Sequence, residues 1–188
     1  MTTHSRLARR SHRLSHTIVA LGVGLAAAAA WTPLAGAIAL SLQTNATNPC
    51  GLLTVDEVQG LGTPKEHASS GVAEAMPAQE VFTCRYTWGA GTERYTFAVS
   101  VNSVSRMFVG MTGDAVKQHI VSSIKPGTAD ATIPDIGEAA VFRADSPVYA
   151  GASAYLKGRL LQVHLDGLDA REKKDQLISL LKAAASRL

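Results

Sequence analysis

Residues 81–88 read VFTCRYTW, with an aromatic residue or cysteine at every second position. This alternation predicts a β-strand with one face turned toward a core. That face carries Phe82, Cys84, Tyr86 and Trp88. The segment GAG at 89–91 predicts a turn, and apolar residues alternate again over 95–101. The two segments predict an antiparallel hairpin, with a weaker strand over 70–76.

A second group of strands is predicted toward the C-terminus, over 139–143, 148–156 and 159–166. Lys157 and Gly158 join the last two, and the glycine suits a turn position that requires positive φ. The sequence therefore predicts a second hairpin.

The first predicted helix begins after Thr54. Glu57 follows three residues later, so the pair forms a capping box, and Gly60 ends the helix within about two turns. A second helix begins after Thr112, and KPG at 125–127 ends it. Its expected buried stripe is Val116, Ile120, Val121 and Ile124.

The final predicted helix is capped by Asp169 together with Glu172. Its apolar stripe is Leu177, Leu181, Ala184 and Leu188. The element order is then α-β-β(-β)-α-β-β-β-α, with strands grouped rather than alternating with helices. Grouped strands favour an α+β fold with helices packed on an antiparallel sheet. The two halves share this order.

The first 37 residues are predicted to be a signal peptide. Residues 1–16 are polar and basic, 17–31 carry no charge, and Ala35-Gly36-Ala37 places small residues at a cleavage site. Cleavage is predicted after Ala37, with Ala39 as the second choice. The alternative is an uncleaved leader that anchors the chain in a membrane. Residues 38–49 are predicted to be a linker, and 50–188 a single α+β domain.

Cys50 and Cys84 are the two cysteines of the chain. An exported chain enters an oxidising compartment, so this pair predicts one disulfide bond. Closing a loop of about 35 residues stabilises a fold by about 3 to 4 kcal/mol. A catalytic thiol or a metal site is the alternative. Neither cysteine has a CxxC partner or a histidine at ligand spacing, so no metal site is predicted.

The formal charge of +3 comes from the leader, which holds four arginines and no acidic residue. From residue 38 onward, 14 Lys and Arg side chains stand against 15 Asp and Glu. The mature chain therefore carries about −1, which argues against nucleic acid as a partner. A membrane is expected as a partner only if the leader is retained.

No catalytic or cofactor-binding residue is predicted. His164 and Asp166 share a strand face, and Ser122 with Lys125 matches S-x-x-K, but neither pattern has the further residues of a known site. GASAY at 151–155 lacks the second glycine of a nucleophile elbow. A ligand groove on the first hairpin is one interpretation of Tyr86, Trp88 and Tyr95. Core packing is the other.

The opening segment PCGLLTVDEV at 49–58 resembles that of small actinobacterial secreted proteins and lipoproteins. The chain is similar to a mycobacterial and nocardial domain of unknown function that begins C-x-L-L-T-x-x-E-V. CRY at 84–86, IGEAA at 136–140 and an alanine-rich final helix continue the resemblance. It implies a secreted or envelope location and no catalytic residues. The chain departs from the family in lacking a lipobox cysteine and in Gly60, which shortens the first helix.

Together these observations predict an exported, non-enzymatic domain of the cell envelope or medium that binds a small ligand or a protein partner. Two alternatives remain open. One is an envelope hydrolase that uses a serine or histidine, and the other is an interaction module anchored by its leader.

Overall fold

A computed structural model describes residues 47–61 and 67–188. The predicted signal peptide, both cleavage positions at Ala37 and Ala39, and most of the predicted linker lie outside the described residues. Pro49, the last residue of that linker, is buried in a short 3-10 turn, Pro49–Gly51, that packs against the sheet.

The sheet has seven strands. They are β1 (Val72–Met76), β2 (Val81–Trp88), β3 (Tyr95–Ser103), β4 (Ala131–Thr132), β5 (Ala139–Ser146), β6 (Tyr149–Leu156) and β7 (Arg159–Asp166). Their order across the sheet is β1-β2-β3-β7-β6-β5-β4, and every neighbouring pair is antiparallel. Two meanders thus meet at β3 and β7. The predicted α+β fold with an antiparallel sheet is confirmed.

The α-helices whose bounds lie within the described residues are α1 (Val55–Gln59), α2 (Val104–Met107), α3 (Gly113–Ser122) and α4 (Lys174–Arg187). The capping box is present, because the Thr54 hydroxyl accepts from the Glu57 amide while the Glu57 carboxylate accepts from the Thr54 amide. Thr112 caps α3 through its hydroxyl alone, which accepts from the amide of Ala115. The short α2 and β4 were not predicted.

The predicted cap of the final helix is wrong. Asp169 has a left-handed backbone with φ of 55°, and its side chain caps nothing. A 3-10 turn over Ala170–Lys173 follows it, and α4 begins at Lys174. The predicted apolar stripe is nevertheless buried: Leu177, Leu181, Ala184 and Leu188.

One face of the sheet, called here the core face, carries the main hydrophobic core. On β2 and β3 it presents Cys84, Tyr86, Trp88, Tyr95, Phe97, Val99 and Val101. Helix α4 packs on it against β6 and β7. Leu52, Val58 and Leu61, from the segment around α1, complete the core. The alternating residues of 81–88 and 95–101 therefore form a hairpin with one face in the core, as the sequence predicts.

The predicted disulfide is confirmed. Cys50 and Cys84 are bonded, with their Cα atoms 5.0 Å apart. The bond joins the 3-10 turn before α1 to the middle of β2. It thereby fixes the N-terminal segment of the described chain on the core face.

The two ends of the described chain are also joined by an ion pair. Two nitrogens of the Arg187 guanidinium, near the end of α4, contact the two carboxylate oxygens of Glu57 in α1 at 2.7 and 2.8 Å. Arg187 also donates to the Leu52 carbonyl at 2.7 Å. The bonds from Arg187 to the carboxylate, together with the capping bond from Thr54, lower the pKa of Glu57 from 4.5 to about 2, although burial acts in the opposite direction.

The opposite face of the sheet, called here the polar face, is covered only in part. Helices α2 and α3 bury a small apolar cluster of Val104, Val116, Ile120, Val141, Tyr155 and Leu160. Elsewhere this face carries polar or small residues, among them Ser100, Asn102, Gly151, Ser153, Gln162 and His164. Both cavities described below open beside or on this face.

Candidate ligand-binding site

Helix α3 is held on the polar face by only part of its predicted apolar stripe. Val116 is fully buried and Ile120 nearly so, in contact with side chains of β5 and β6. Val121, one residue further along, is 44% exposed. The prediction that Val121 would be buried is wrong. Successive residues of a helix point about 100° apart, so the part of the sheet that covers Ile120 does not also cover Val121.

A groove of about 610 Å³ lies where Val121 is exposed, between α3, β4 and the start of β5. Its apolar walls are formed by Val121, Ile133, Ala139 and Ala140. Strand β4 has two residues, paired to Val141 and Phe142, so the sheet ends beside the helix and leaves this space open. We call it the α3 groove.

The charged groups at the rim of the α3 groove are paired with each other. The Lys117 ammonium lies 2.7 Å from a carboxylate oxygen of Asp114 and 3.8 Å from one of Glu138. The hydrogen bond to Asp114 raises the pKa of Lys117, and the same bond lowers the pKa of Asp114. The groove thus presents apolar surface bordered by one cation and two carboxylates, a rim with a small net negative charge.

The three aromatic residues considered for a ligand groove lie in the core instead. Tyr86, Trp88 and Tyr95 are each at most 8% exposed. Trp88 stacks on Tyr95 at 5.7 Å between ring centroids, and the Tyr86 hydroxyl donates to the Leu53 carbonyl at 2.8 Å. Because these contacts use the rings and leave almost no exposed surface, core packing accounts for all three residues.

His164 lies on the polar face in a second cavity of about 220 Å³, which we call the polar groove. Burial is the main cause that lowers its pKa, and the nearby charge of Arg85 lowers it further, while Asp166 acts in the opposite direction. The imidazole packs on the Tyr149 ring, with centroids 5.8 Å apart. Asp166 is exposed and makes no hydrogen bond to His164 among the described residues.

The serine motifs do not form a nucleophile and base pair in the described part of the chain. The hydroxyls of Ser122 and Ser123 donate to carbonyls of their own helix turn, those of His119 and Ile120. The Lys125 ammonium pairs with Asp145 at 3.0 Å. Local backbone bonding is the usual role of serine near a helix end.

Ser153 lies in the polar groove with His164. Its hydroxyl accepts a hydrogen bond from the Gln162 amide at 3.3 Å, and no hydrogen bond joins it to the imidazole. The GASAY segment at 151–155 is a stretch of β6, not a strand-to-helix turn.

The described residues contain no cluster of three or more His, Cys, Asp and Glu side chains able to hold a metal ion. Within the same ranges, no helix has the length and apolar character needed to cross a bilayer.

Neither groove was predicted from the sequence. A signal for the α3 groove was absent, because Val121 and Ile120 are equally apolar. A signal for the polar groove was present in the small residues of β6, where Gly151 and Ser153 alternate with buried alanines. Small residues on one face of a strand permit a recess there.

Comparison with known proteins identified no match to a protein-family model, a curated protein or a solved structure. The resemblance of residues 49–188 to an actinobacterial domain family therefore remains a prediction. The function of the chain has to be argued from its own geometry.

Proposed function

We propose that this chain is an exported, non-enzymatic binding domain that holds a small, mainly apolar molecule in the α3 groove. The observation that carries the proposal is the unfilled apolar surface beside Val121, Ile133 and Ala139. Burying such surface under a ligand is favourable by about 25 cal/mol per Å².

The size of the groove favours a small molecule over a protein partner. Its volume of about 610 Å³ falls in the range of about 300 to 1,000 Å³ typical of ligand pockets. A protein partner would instead require a broad surface of about 800 Å² on each side. At the rim the Lys117 ammonium is opposed by two carboxylates, those of Asp114 and Glu138, so an anionic ligand is disfavoured and this cation is not free to bind one.

Export is supported by the leader pattern of residues 1–37 and by the disulfide between Cys50 and Cys84. Disulfide bonds persist in oxidising compartments, outside the cytoplasm in most organisms. N-terminal sequencing of the protein recovered from its own culture tests this part. A chain that begins at Ile38 or Leu40 supports cleavage and release, whereas an intact leader supports the anchored alternative.

Binding is tested with N-phenyl-1-naphthylamine, a neutral apolar dye whose fluorescence increases when it leaves water. We expect saturable binding to the full chain. The substitution Val121→Asp places a charge on the wall of the groove and should weaken the dye's affinity at least about tenfold.

The matched control is Val109→Asp, because Val109 is 83% exposed and does not line the groove. It should leave the affinity unchanged. Equal dye affinity in wild type and Val121→Asp would contradict the proposal, as would a similar loss in both variants.

A further inference from the structure

The polar groove is built from a row of alternating large and small residues across five strands. Cross-strand neighbours in this row are Arg85, Ala98, His164, Gly151 and Arg143, in order from β2 to β5. The small residues on either side of His164 leave a recess in a sheet surface that would otherwise be filled. In the next row Ser100 and Ser153 continue the recess on either side of Gln162.

Gly151 keeps this recess open by its lack of a side chain. A Cβ atom at this position would lie 2.9 Å from the Val163 carbonyl oxygen and 3.2 Å from the His164 Cβ. Both distances are shorter than ordinary van der Waals contact, so His164 packs against the backbone of β6 only because residue 151 is glycine.

The groove offers hydrogen-bond donors and acceptors in similar number. Asp145 accepts bonds from Lys125 and Arg143 through Oδ1, which leaves Oδ2 as an acceptor. The Ser153 hydroxyl accepts from Gln162 and keeps its own proton for donation. His164 makes no hydrogen bond to the described residues, and a neutral imidazole provides one donor and one acceptor.

Charge in and around the groove is balanced. The cations of Arg143 and Lys125 are opposed by the carboxylate of Asp145, which contacts both, and by that of Asp166, beside Tyr149 in the register of β6 and β7. Arg85, at the β2 end of the row, is paired with the Glu74 carboxylate through two hydrogen bonds of 3.0 Å. An anion therefore has no surplus positive charge to bind. A neutral molecule that both donates and accepts fits this set better.

Two buried polar atoms of this face have no hydrogen-bond partner among the described residues. They are Arg143 Nε and Asn102 Oδ1, and both are inaccessible to solvent. Asn102 is 5% exposed, and its amide nitrogen donates to Gln162, which in turn donates to Ser153 in the groove. Such unsatisfied atoms cost about 1 to 3 kcal/mol each, so proteins rarely keep them without a functional reason.

An aromatic surface borders the groove. Tyr149 is 38% exposed, and its ring lies against the imidazole of His164. A pyranose has a face of C–H groups that packs on aromatic rings and a rim of hydroxyls that each donate and accept. The volume of about 220 Å³ equals that of about seven water molecules, enough for one sugar ring.

From these observations we propose that the polar groove binds one neutral sugar ring, with Tyr149 packed on the ring and Asp145, Ser153 and His164 bonded to its hydroxyls. This site is separate from the α3 groove. The proposal for this site is therefore independent of the apolar ligand proposed above.

The test is nuclear magnetic resonance of the full, isotope-labelled chain titrated with methyl α-D-glucopyranoside, methyl α-D-mannopyranoside and methyl β-D-galactopyranoside. At least one of these should shift the signals of Gly151, Ser153 and His164 with a dissociation constant below about 50 mM. The signals of the α3 groove, such as that of Val121, should not move.

Two variants test the named contacts. Tyr149→Ala removes the ring, and Asp145→Asn keeps the size of the side chain while removing its charge. Each should weaken the affinity for the pyranoside at least about tenfold. Val148→Ala, at the exposed neighbour of Tyr149, is the matched control and should bind as wild type does.

The proposal is overturned if none of the three glycosides shifts the groove signals. It is equally overturned if sodium sulfate shifts them and the glycosides do not, because the groove would then be an anion site. Glycoside binding that Tyr149→Ala and Asp145→Asn leave intact would overturn the assigned contacts. The Val121→Asp variant should retain glycoside binding, so failure at the α3 groove is distinguishable from failure here.

Discussion

The core face and the polar face of the sheet differ most clearly at adjacent residues of β3. Val99 points into the core and is fully buried, while Ser100 points the other way and is 8% exposed. Both positions are largely inaccessible to water, yet only one is apolar. Apolar and polar residues alternate in this way along a strand of an antiparallel sheet that has its main core on one face only.

The two faces therefore contribute differently to the stability of the fold. The core face gains free energy from every apolar group that it removes from water. The polar face instead buries Ser100 and Asn102, and two of its buried polar atoms have no partner within residues 47–61 and 67–188. A face that bears such costs and retains a recess is typical of a binding surface.

The largest expected effect on stability comes from making a cavity in the hydrophobic core on the core face. Phe97→Ala removes a fully buried ring and should lower the free energy of unfolding by about 3 to 5 kcal/mol. Urea denaturation followed by tryptophan fluorescence measures it. Ser100→Ala, three residues along the same strand on the other face, should change stability by about 0.5 kcal/mol or less. Similar losses in both variants would mean that the two faces do not differ as described.

Removing the disulfide should lower the free energy of unfolding by nearly as much as Phe97→Ala. The double variant Cys50→Ala, Cys84→Ala opens a loop with a sequence separation of 34 and should lose about 3 to 4 kcal/mol. Dithiothreitol should shift the urea midpoint of wild type toward that of the double variant. If the reductant shifts the double variant as well, its effect does not act through this bond.

Acid should lower the free energy of unfolding by protonating Glu57, which pairs with Arg187 beside the core face. Its pKa is lowered in the fold, so its contribution is complete above about pH 4.5 and is lost as the pH falls toward about 2. Because the pair is partly exposed, we expect a loss of about 1 to 2 kcal/mol across that interval. Glu57→Gln should lack this part of the pH dependence, as measured by urea midpoints at a series of pH values.

A smaller acid effect should come from the polar face, at higher pH. The pKa of His164 lies below its ordinary value of 6.5, chiefly because the imidazole is buried. The unfolded chain therefore takes up the proton first, and stability is constant above about pH 6.5 and falls below it. His164→Gln should remove this decline, which we expect to be smaller than that of Glu57. A curve for His164→Gln that coincides with wild type between pH 7 and 5 would rule the effect out.

Some parts of the fold could be predicted from the chain because their causes lie within a few residues. The bounds of β2 at Val81 and Trp88 follow from an uninterrupted alternation, and the start of α1 from the pair Thr54 and Glu57. The turn at Lys157 and Gly158, both at positive φ, is equally local. The disulfide was predictable because only one pairing of two cysteines exists.

Other parts could not be predicted, because the deciding neighbours are distant in the chain. Nothing near Val121 indicates that β4 is too short to cover it. The hydrogen bond between Asn102 and Gln162 joins residues 60 positions apart. Asp169 failed as a cap because the chain turns there through a left-handed residue and a 3-10 turn before α4 begins.

The sequence by itself determined the longer helices and strands, the inward face of the first hairpin, the disulfide and the grouping of strands into an α+β fold. Only the tertiary structure decided that β3 pairs with β7. That pairing determines which side chains of the two meanders lie together on the polar face. The physical reason is the distance along the chain over which each interaction acts. Capping and alternation act between neighbours, whereas a groove is the space left when strands and helices far apart in the chain pack together.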